Sequence, residues 1–347
     1  MHYASDNSGP AHPKVMEALL AANAGYALPY GNDPATERAR AHIREVFEAP
    51  DAAVEFVATG SAANALILAT LCKPWEAIFC SEVAHVEADE CGAPEFFTGG
   101  AKLALVPAPD ARMSPAALRD RIDGTAQGNV HNVQRGPVSL TSVTERGTVY
   151  DLDHLRALAG TAREFGLPVH LDGARLANAL ATLGCSPAEM TWKAGIDAVS
   201  FGGTKNGLLG VEAAIFFDPA HAWEFELRRK RGGHLFSKTR YLAAQMDAYL
   251  ANGLWLRMGH DANAAAARLA QGLYESGTAT LLHEPQANMV FASFPRAAHH
   301  RLRQAGAQFY SMGSLDGPDE EPVGARLVCD WSASTADTER FLDILEG

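Results

Sequence analysis

The feature that most constrains the fold is a series of short apolar runs, each able to form a buried strand, separated by stretches of helical pattern. The runs lie at 54–57, 77–80, 103–106, 138–141, 168–171, 198–201 and 213–217. Between them, 61–71 is rich in helix formers and apolar on most faces. The stretch 153–165 repeats apolar residues at Leu155, Leu158, Ala159, Ala162 and Phe165 before a stop at Gly166. Strands alternating with helices of this length predict an α/β chain with a large, mainly parallel seven-stranded sheet covered on both faces. Past Phe217 the character changes to long helices over 223–249 and 255–274, then to mixed strand and helix. We divide the chain into a large domain, residues 1–250 with the N-terminal segment included, and a small α+β carboxy-terminal domain, 251–347.

Composition narrows the partners. A chain of 347 residues that is 47% hydrophobic can bury such a core. Its formal net charge of −12 would repel phosphate backbones and anionic lipid. A small-molecule substrate is expected, with no nucleic-acid or membrane partner. The start of the chain lacks the basic and apolar regions of a signal peptide, and no later run approaches the roughly 20 apolar residues of a membrane helix. The cysteines Cys72, Cys80, Cys91, Cys185 and Cys329 are odd in number and scattered, the pattern of reduced thiols rather than of disulfides. We expect a cytoplasmic protein and assign no metal site.

Of seven lysines, only Lys205 follows an apolar strand and sits among glycines, in Gly202-Gly203-Thr204-Lys205-Asn206-Gly207. A lysine at a strand end with little bulk around it can be desolvated and lose its proton, as imine formation with an aldehyde cofactor requires. Upstream, Asp172 ends the apolar strand in His170-Leu171-Asp172-Gly173-Ala174-Arg175, at the edge where open parallel sheets bind ligands. The pyridinium nitrogen of pyridoxal phosphate (PLP) suits such an acid, since a carboxylate there keeps the ring protonated and electron-withdrawing; a helix cap is the plainer alternative.

Thr59-Gly60-Ser61 opens the first buried helix, where free N–H groups can hold a phosphate or simply be capped by the threonine. It is not the Gly-x-Gly-x-x-Gly fingerprint of dinucleotide binding. His85 lies just past the second strand, where its ring could stack on a flat cofactor, and His131 precedes the fourth. The basic run 228–234 reads either as a solvated helix end or as a phosphate contact.

In this order, the Gly-Ser helix start, His85, Asp-Gly-Ala-Arg and Gly-Gly-Thr-Lys-Asn-Gly resemble PLP enzymes of the aspartate-aminotransferase fold. Ala4-Ser5-Asp6-Asn7, Tyr30-Gly31-Asn32-Asp33, the stretch 81–97, Thr191-Trp192-Lys193-Ala194-Gly195 and Arg326-Leu327-Val328-Cys329-Asp330-Trp331 narrow the resemblance to the low-specificity L-threonine aldolases. That resemblance implies a PLP-dependent lyase that cleaves threonine, allo-threonine and other β-hydroxy-α-amino acids reversibly to glycine and an aldehyde. It implies Lys205 as the imine-forming lysine, Asp172 at the ring nitrogen, His85 over the ring, and Thr59, Gly60 and Ser61 at the phosphate. Ser5, Arg175 and Arg326 would hold the substrate carboxylate, with Arg175 also near the phenolic oxygen, and His131 would lie near the substrate hydroxyl. Tyr30 and Lys230 match positions supplied across a dimer interface, Tyr30 toward the substrate and Lys230 toward the phosphate. A homo-oligomer follows, either a dimer or a dimer of dimers. The rival readings are another PLP reaction (β-elimination, transamination or serine hydroxymethyl transfer) and a non-catalytic protein of the same fold.

Overall fold

The computed structural model describes residues 1–347. Each of the seven runs is a strand: β1 (Ala53–Val57), β2 (Glu76–Ser81), β3 (Lys102–Val106), β4 (Gln134–Thr141), β5 (Val169–Gly173), β6 (Ala198–Gly202) and β7 (Glu212–Phe216). They form one sheet in the order β1-β7-β6-β5-β4-β2-β3. From β3 to β6 all neighbours are parallel, whereas β7 is antiparallel to both β6 and β1. The exception has a simple cause: only residues 203–211 join β6 to β7, with one 3-10 turn at Thr204–Asn206. A parallel return needs a crossover of about a dozen residues, so the chain doubles back instead.

Every residue of β5, β6 and β7 is buried, which is why these strands read as unbroken apolar runs rather than as alternating ones. The Gly60–Leu71 helix is buried from Ala62 to Thr70, because the sheet covers one side of it and the Ala93–Thr98 and Ala222–Arg231 helices cover the rest. Elsewhere on β6, Phe201 packs edge-on against Phe47 and Trp255, its ring centroid 5.3 Å from each, so that a strand and two distant segments share one aromatic core.

The stretch 223–249 is not one helix. It is two, Ala222–Arg231 and Arg240–Leu250, and the break falls at Gly232 and Gly233. Gly233 takes a φ of +79°, a left-handed conformation that ends a helix and that glycine adopts without steric cost.

A second core lies beyond the Leu254–Glu275 helix. There β8 (Thr280–Leu281), β9 (Met289–Pro295), β10 (Tyr310–Met312) and β11 (Pro322–Val328) make an antiparallel sheet in the order β10-β11-β9-β8. The Arg296–Gln304 and Thr335–Glu346 helices pack with it around Leu273, Phe294, Leu327 and Phe341. Tyr3 is buried in this same core; its N–H donates to the Gln308 carbonyl at 2.7 Å and its carbonyl accepts from Val328 at 2.8 Å. No helix is long and apolar enough to cross a membrane.

Candidate active site

The carboxyl ends of β1, β2, β4, β5 and β6 open onto a cavity of about 410 Å³. Open α/β sheets bind ligands at this edge because the strand ends and the helix starts that follow them point there together. Thr59, Gly60, Ser61, His85, Asp172, Arg175 and Lys205 all line it. Ser5, Tyr30, His131, Lys230 and Arg326 do not line it within one chain.

Asp172 is the next-to-last residue of β5 and is 3% exposed. Its Oδ1 accepts from the Ala174 N–H at 3.0 Å and its Oδ2 from Asn64 Nδ2 at 2.8 Å. Both donors are neutral, so no protein cation is hydrogen-bonded to Asp172. Beneath it, His170 is fully buried between Ser139 Oγ at 3.0 Å and Ser200 Oγ at 2.9 Å, and burial pushes its pKa down to about 4 against the pull of Asp172. The neutral imidazole leaves Asp172 without a competing cation from below. Ser200 also donates to Asn64, which closes a hydrogen-bonded support under the acid.

Lys205 is in the turn that follows β6. The Arg175 charge, and then burial, hold its pKa below the ordinary lysine value, while Asp6, Asp172 and Glu212 act in the other direction. Arg175 is itself held by Asp6, with Nε–Oδ2 at 2.6 Å and Nη2–Oδ1 at 2.9 Å. Burial alone would raise the Asp6 carboxyl, but the Arg175 charge and hydrogen bonds, with Lys205 and Asn288, keep it below the usual carboxylate value. This two-point pairing leaves Nη1 as the part of the guanidinium that Asp6 does not bind.

His85 follows β2 and opens a single helical turn, His85–Ala88. Its Nδ1 lies 3.1 Å from Oε1 of Glu90, whose side chain is completely buried. That hydrogen bond raises the His85 pKa, burial opposes it, Asp172 adds to it and Lys205 counters it. With Nδ1 held by Glu90, Nε2 is the free nitrogen. The His85 main-chain N–H donates to Glu145 Oε1 at 2.7 Å, while Glu145 Oε2 is buried without a partner.

At the start of the Gly60–Leu71 helix, Thr59 Oγ1 accepts from Ala62 N–H at 3.2 Å, so the threonine does cap the helix. The first-turn N–H groups of Gly60 and Ser61 have no partner inside the helix. A Cβ on Gly60 would meet nothing within 4 Å, so the space in front of these donors is open.

The remaining residues lie elsewhere. Ser5 caps the turn that carries Asp6, its Oγ accepting from Asn7 N–H at 3.1 Å, and Asn7 reaches the cavity wall. On β11, Arg326 lies with its Cζ 4.6 Å above the Tyr310 ring, and its buried Nε has no partner. His131 is on an exposed turn. Tyr30 is 43% exposed with a φ of +62°, and Lys230 Nζ sits 5.0 Å over its ring.

Five residues of the site, Asp6, Asn64, Glu90, Glu145 and Glu212, receive no role from the sequence, although Asp6 and Glu90 lie in segments that carry the resemblance. Two carried a usable signal. Asn64 is a lone amide in an otherwise apolar buried helix, and Glu212 is a lone acid at the head of an apolar strand. Buried polar groups of that kind need partners.

A fully buried acid, a lysine with a depressed pKa, a histidine backed by a carboxylate and an open helix start define a site for an anionic carbonyl cofactor. The profile of the beta-eliminating lyase family matches residues 3–295, and the chain belongs to that family. Low specificity L-threonine aldolase of Pseudomonas aeruginosa is 42% identical over 342 residues, 99% of this chain and 95% of the relative. The enzyme of that name from Escherichia coli is 28% identical over 283 residues, 80% of this chain and 79% of the relative. Among solved structures, Leishmania major threonine aldolase superposes with a TM-score of 0.92 at 26% identity, covering 99% of this chain and 98% of that one. Sphingomonas wittichii serine palmitoyltransferase, at 16% identity and a TM-score of 0.72 over 100% of this chain and 86% of its own, shares the fold.

Proposed function

We propose that the chain is a PLP-dependent low-specificity L-threonine aldolase, which cleaves L-threonine, L-allo-threonine and related β-hydroxy-α-amino acids to glycine and an aldehyde. The observation that carries this reading is the convergence of Lys205, Asp172 and His85 on one cavity, together with the relatives above. The residues present fit the cofactor. Asp172 would hold the ring nitrogen, the first-turn N–H groups of Gly60 and Ser61 with the Thr59 hydroxyl would hold the phosphate, and Lys205 would form the imine. PLP, when bound, supplies an electron sink for the pair released as the Cα–Cβ bond breaks.

The chain's own residues select that bond and move the protons. Arg326 and Ser5, with Arg175 Nη1, fix the substrate carboxylate; the unpartnered Nε of Arg326 and the free Nη1 of Arg175 support that assignment. His85 Nε2, with Nδ1–H held by Glu90, takes the proton of the β-hydroxyl, directly or through a water; His131 of the same chain, on an exposed turn before β4, lies away from this cavity. The aldehyde leaves, and a proton returned to Cα completes glycine.

The protein acts as a homo-oligomer, a dimer or dimer of dimers, kept in the cytoplasm, with Tyr30 and Lys230 serving a neighbour's site. Supporting this, Met16, Leu20, Tyr26, Leu28 and Phe236 are exposed large apolar side chains on the segments around Tyr30, whose N–H bonds Ser237. Full activity from a species that sediments as a monomer would overturn the shared site. The reaction itself is tested by incubating the protein and PLP with L-threonine or L-allo-threonine. Acetaldehyde and glycine in equal amounts are expected; ammonia with a keto acid would establish a different lyase reaction.

The pH profile carries a further expectation. His85 accepts a proton only when neutral, and its pKa is raised by Glu90. The acidic limb of kcat/KM therefore lies above the ordinary imidazole value, and activity rises with pH through it. Glu90→Gln removes the stronger acceptor and moves that limb to lower pH; an unmoved limb would take His85 out of the base role.

A further inference from the structure

We propose that Glu212 sets the charge on the side-chain nitrogen of Lys205 by acting as a buried counter-charge across the cavity, a positioning role that rests on the reading of Lys205 as the imine-forming lysine. Glu212 is the first residue of β7 and is 6% exposed. The sheet register places it between Val57 of β1 and Gly202 of β6. Val57 leads into Thr59 and the helix start, and Gly202 leads into Lys205. One carboxyl thus stands in the row between the strand that presents the anion site and the strand that presents the lysine, and it lines the cavity with both.

The immediate donors to Glu212 carry no charge. The Gly203 N–H binds Oε2 at 2.8 Å, and Thr204 supplies its hydroxyl and main chain. The charge that answers Glu212 is Lys205. Burial nonetheless pushes the Glu212 carboxyl up to about 7, against the help of Thr204, Gly203 and Lys205. Lys205 is shifted toward it from the other side, by Arg175 and by burial. The charged groups facing the pair are Arg175 and Asp172 from the end of β5 and Asp6 from the N-terminal segment. Tyr249, whose hydroxyl is hydrogen-bonded to Asn206 and the Gly202 carbonyl, is the further titratable group that feels Glu212.

Two such groups in one desolvated cavity titrate as a pair. When Glu212 is ionised its charge favours the protonated form of the Lys205 nitrogen, and when it takes up a proton that hold is released, so the two protonation states are coupled without direct contact. The neutral amine is the form that attacks an aldehyde. With the lysine joined to a bound cofactor, the carboxylate would supply the counter-charge for that nitrogen in its protonated state.

The test is a pH titration of the visible absorption of the PLP-loaded protein, unsubstituted and as Glu212→Gln and Glu212→Asp. An opposite charge close by shifts a pKa by about one unit or more. Glu212→Gln is expected to lower the pH midpoint of the band by that amount, and Glu212→Asp, which keeps the charge, to stay near the unsubstituted midpoint. A purely structural glutamate would change stability or cofactor content and leave the midpoint where it is. A cofactor-loaded Gln variant with an unshifted midpoint overturns the proposal. Infrared difference spectra of the unsubstituted protein give a check that needs no variant: over the pH interval in which the band is that of the protonated nitrogen, Glu212 should show carboxylate stretches. A protonated Glu212 carboxyl over that interval overturns the proposal equally. If even the unsubstituted protein shows no visible band with PLP, the imine role of Lys205 has failed, and the assignment to Glu212 falls with it.

Discussion

Lys205→Ala is expected to remove the visible band of the protein-bound cofactor and to lower kcat for threonine cleavage by at least about a thousandfold. The band should vanish because no other lysine of the same chain lines the cavity, and the neighbour's Lys230 is assigned to the phosphate rather than to the imine. The cofactor itself should still bind, since Asp172 and the helix start at Gly60 are untouched. That combination, retained PLP with a lost band, separates the covalent role of the lysine from a role in folding. A variant that kept a tenth of the activity would show that Lys205 is not the reacting amine.

Asp6→Ala should be the most destabilising single change in the site. The Asp6 side chain is 1% exposed and makes a two-point contact with Arg175, a guanidinium that is itself only 15% exposed. Asn288 Nδ2 donates to the same carboxylate at 3.0 Å. Deleting one partner of a buried pair leaves an uncompensated charge and costs about 3–5 kcal/mol. Urea unfolding should register it directly. A loss under about 1 kcal/mol, the range of exposed pairs, would show that solvent reaches Arg175 and takes over from Asp6.

What could be read in the sequence, and what could not, divides along one physical line. Strand ends and helix starts are local properties, so Lys205, Asp172, His85 and the Thr59-Gly60-Ser61 turn could be recognised from their flanks. Pairings are not local. Asn64 meets Asp172 and Glu145 meets the His85 N–H only because the sheet order brings β1, β2, β4 and β5 to the same edge. The same distinction explains β4, which begins at Gln134 rather than at Val138. Gly136 and Pro137 do not look like strand residues. They are accommodated where the register with β2 shifts between Ala77 and Phe79, and a Cβ at Gly136 would lie 2.8 Å from the Ala77 carbonyl oxygen. Glycine is required there by a neighbour that the linear pattern does not reveal.

The antiparallel turn-back from β6 into β7 has a consequence for how such a chain can change over evolutionary time. Because the return is so short, Lys205 in the turn and Glu212 at the head of β7 are carried on one hairpin. They are inherited together, so a single insertion or deletion between them would shift the strand register and detune both groups at once. Variation in this stretch is therefore expected by substitution, with its length held constant.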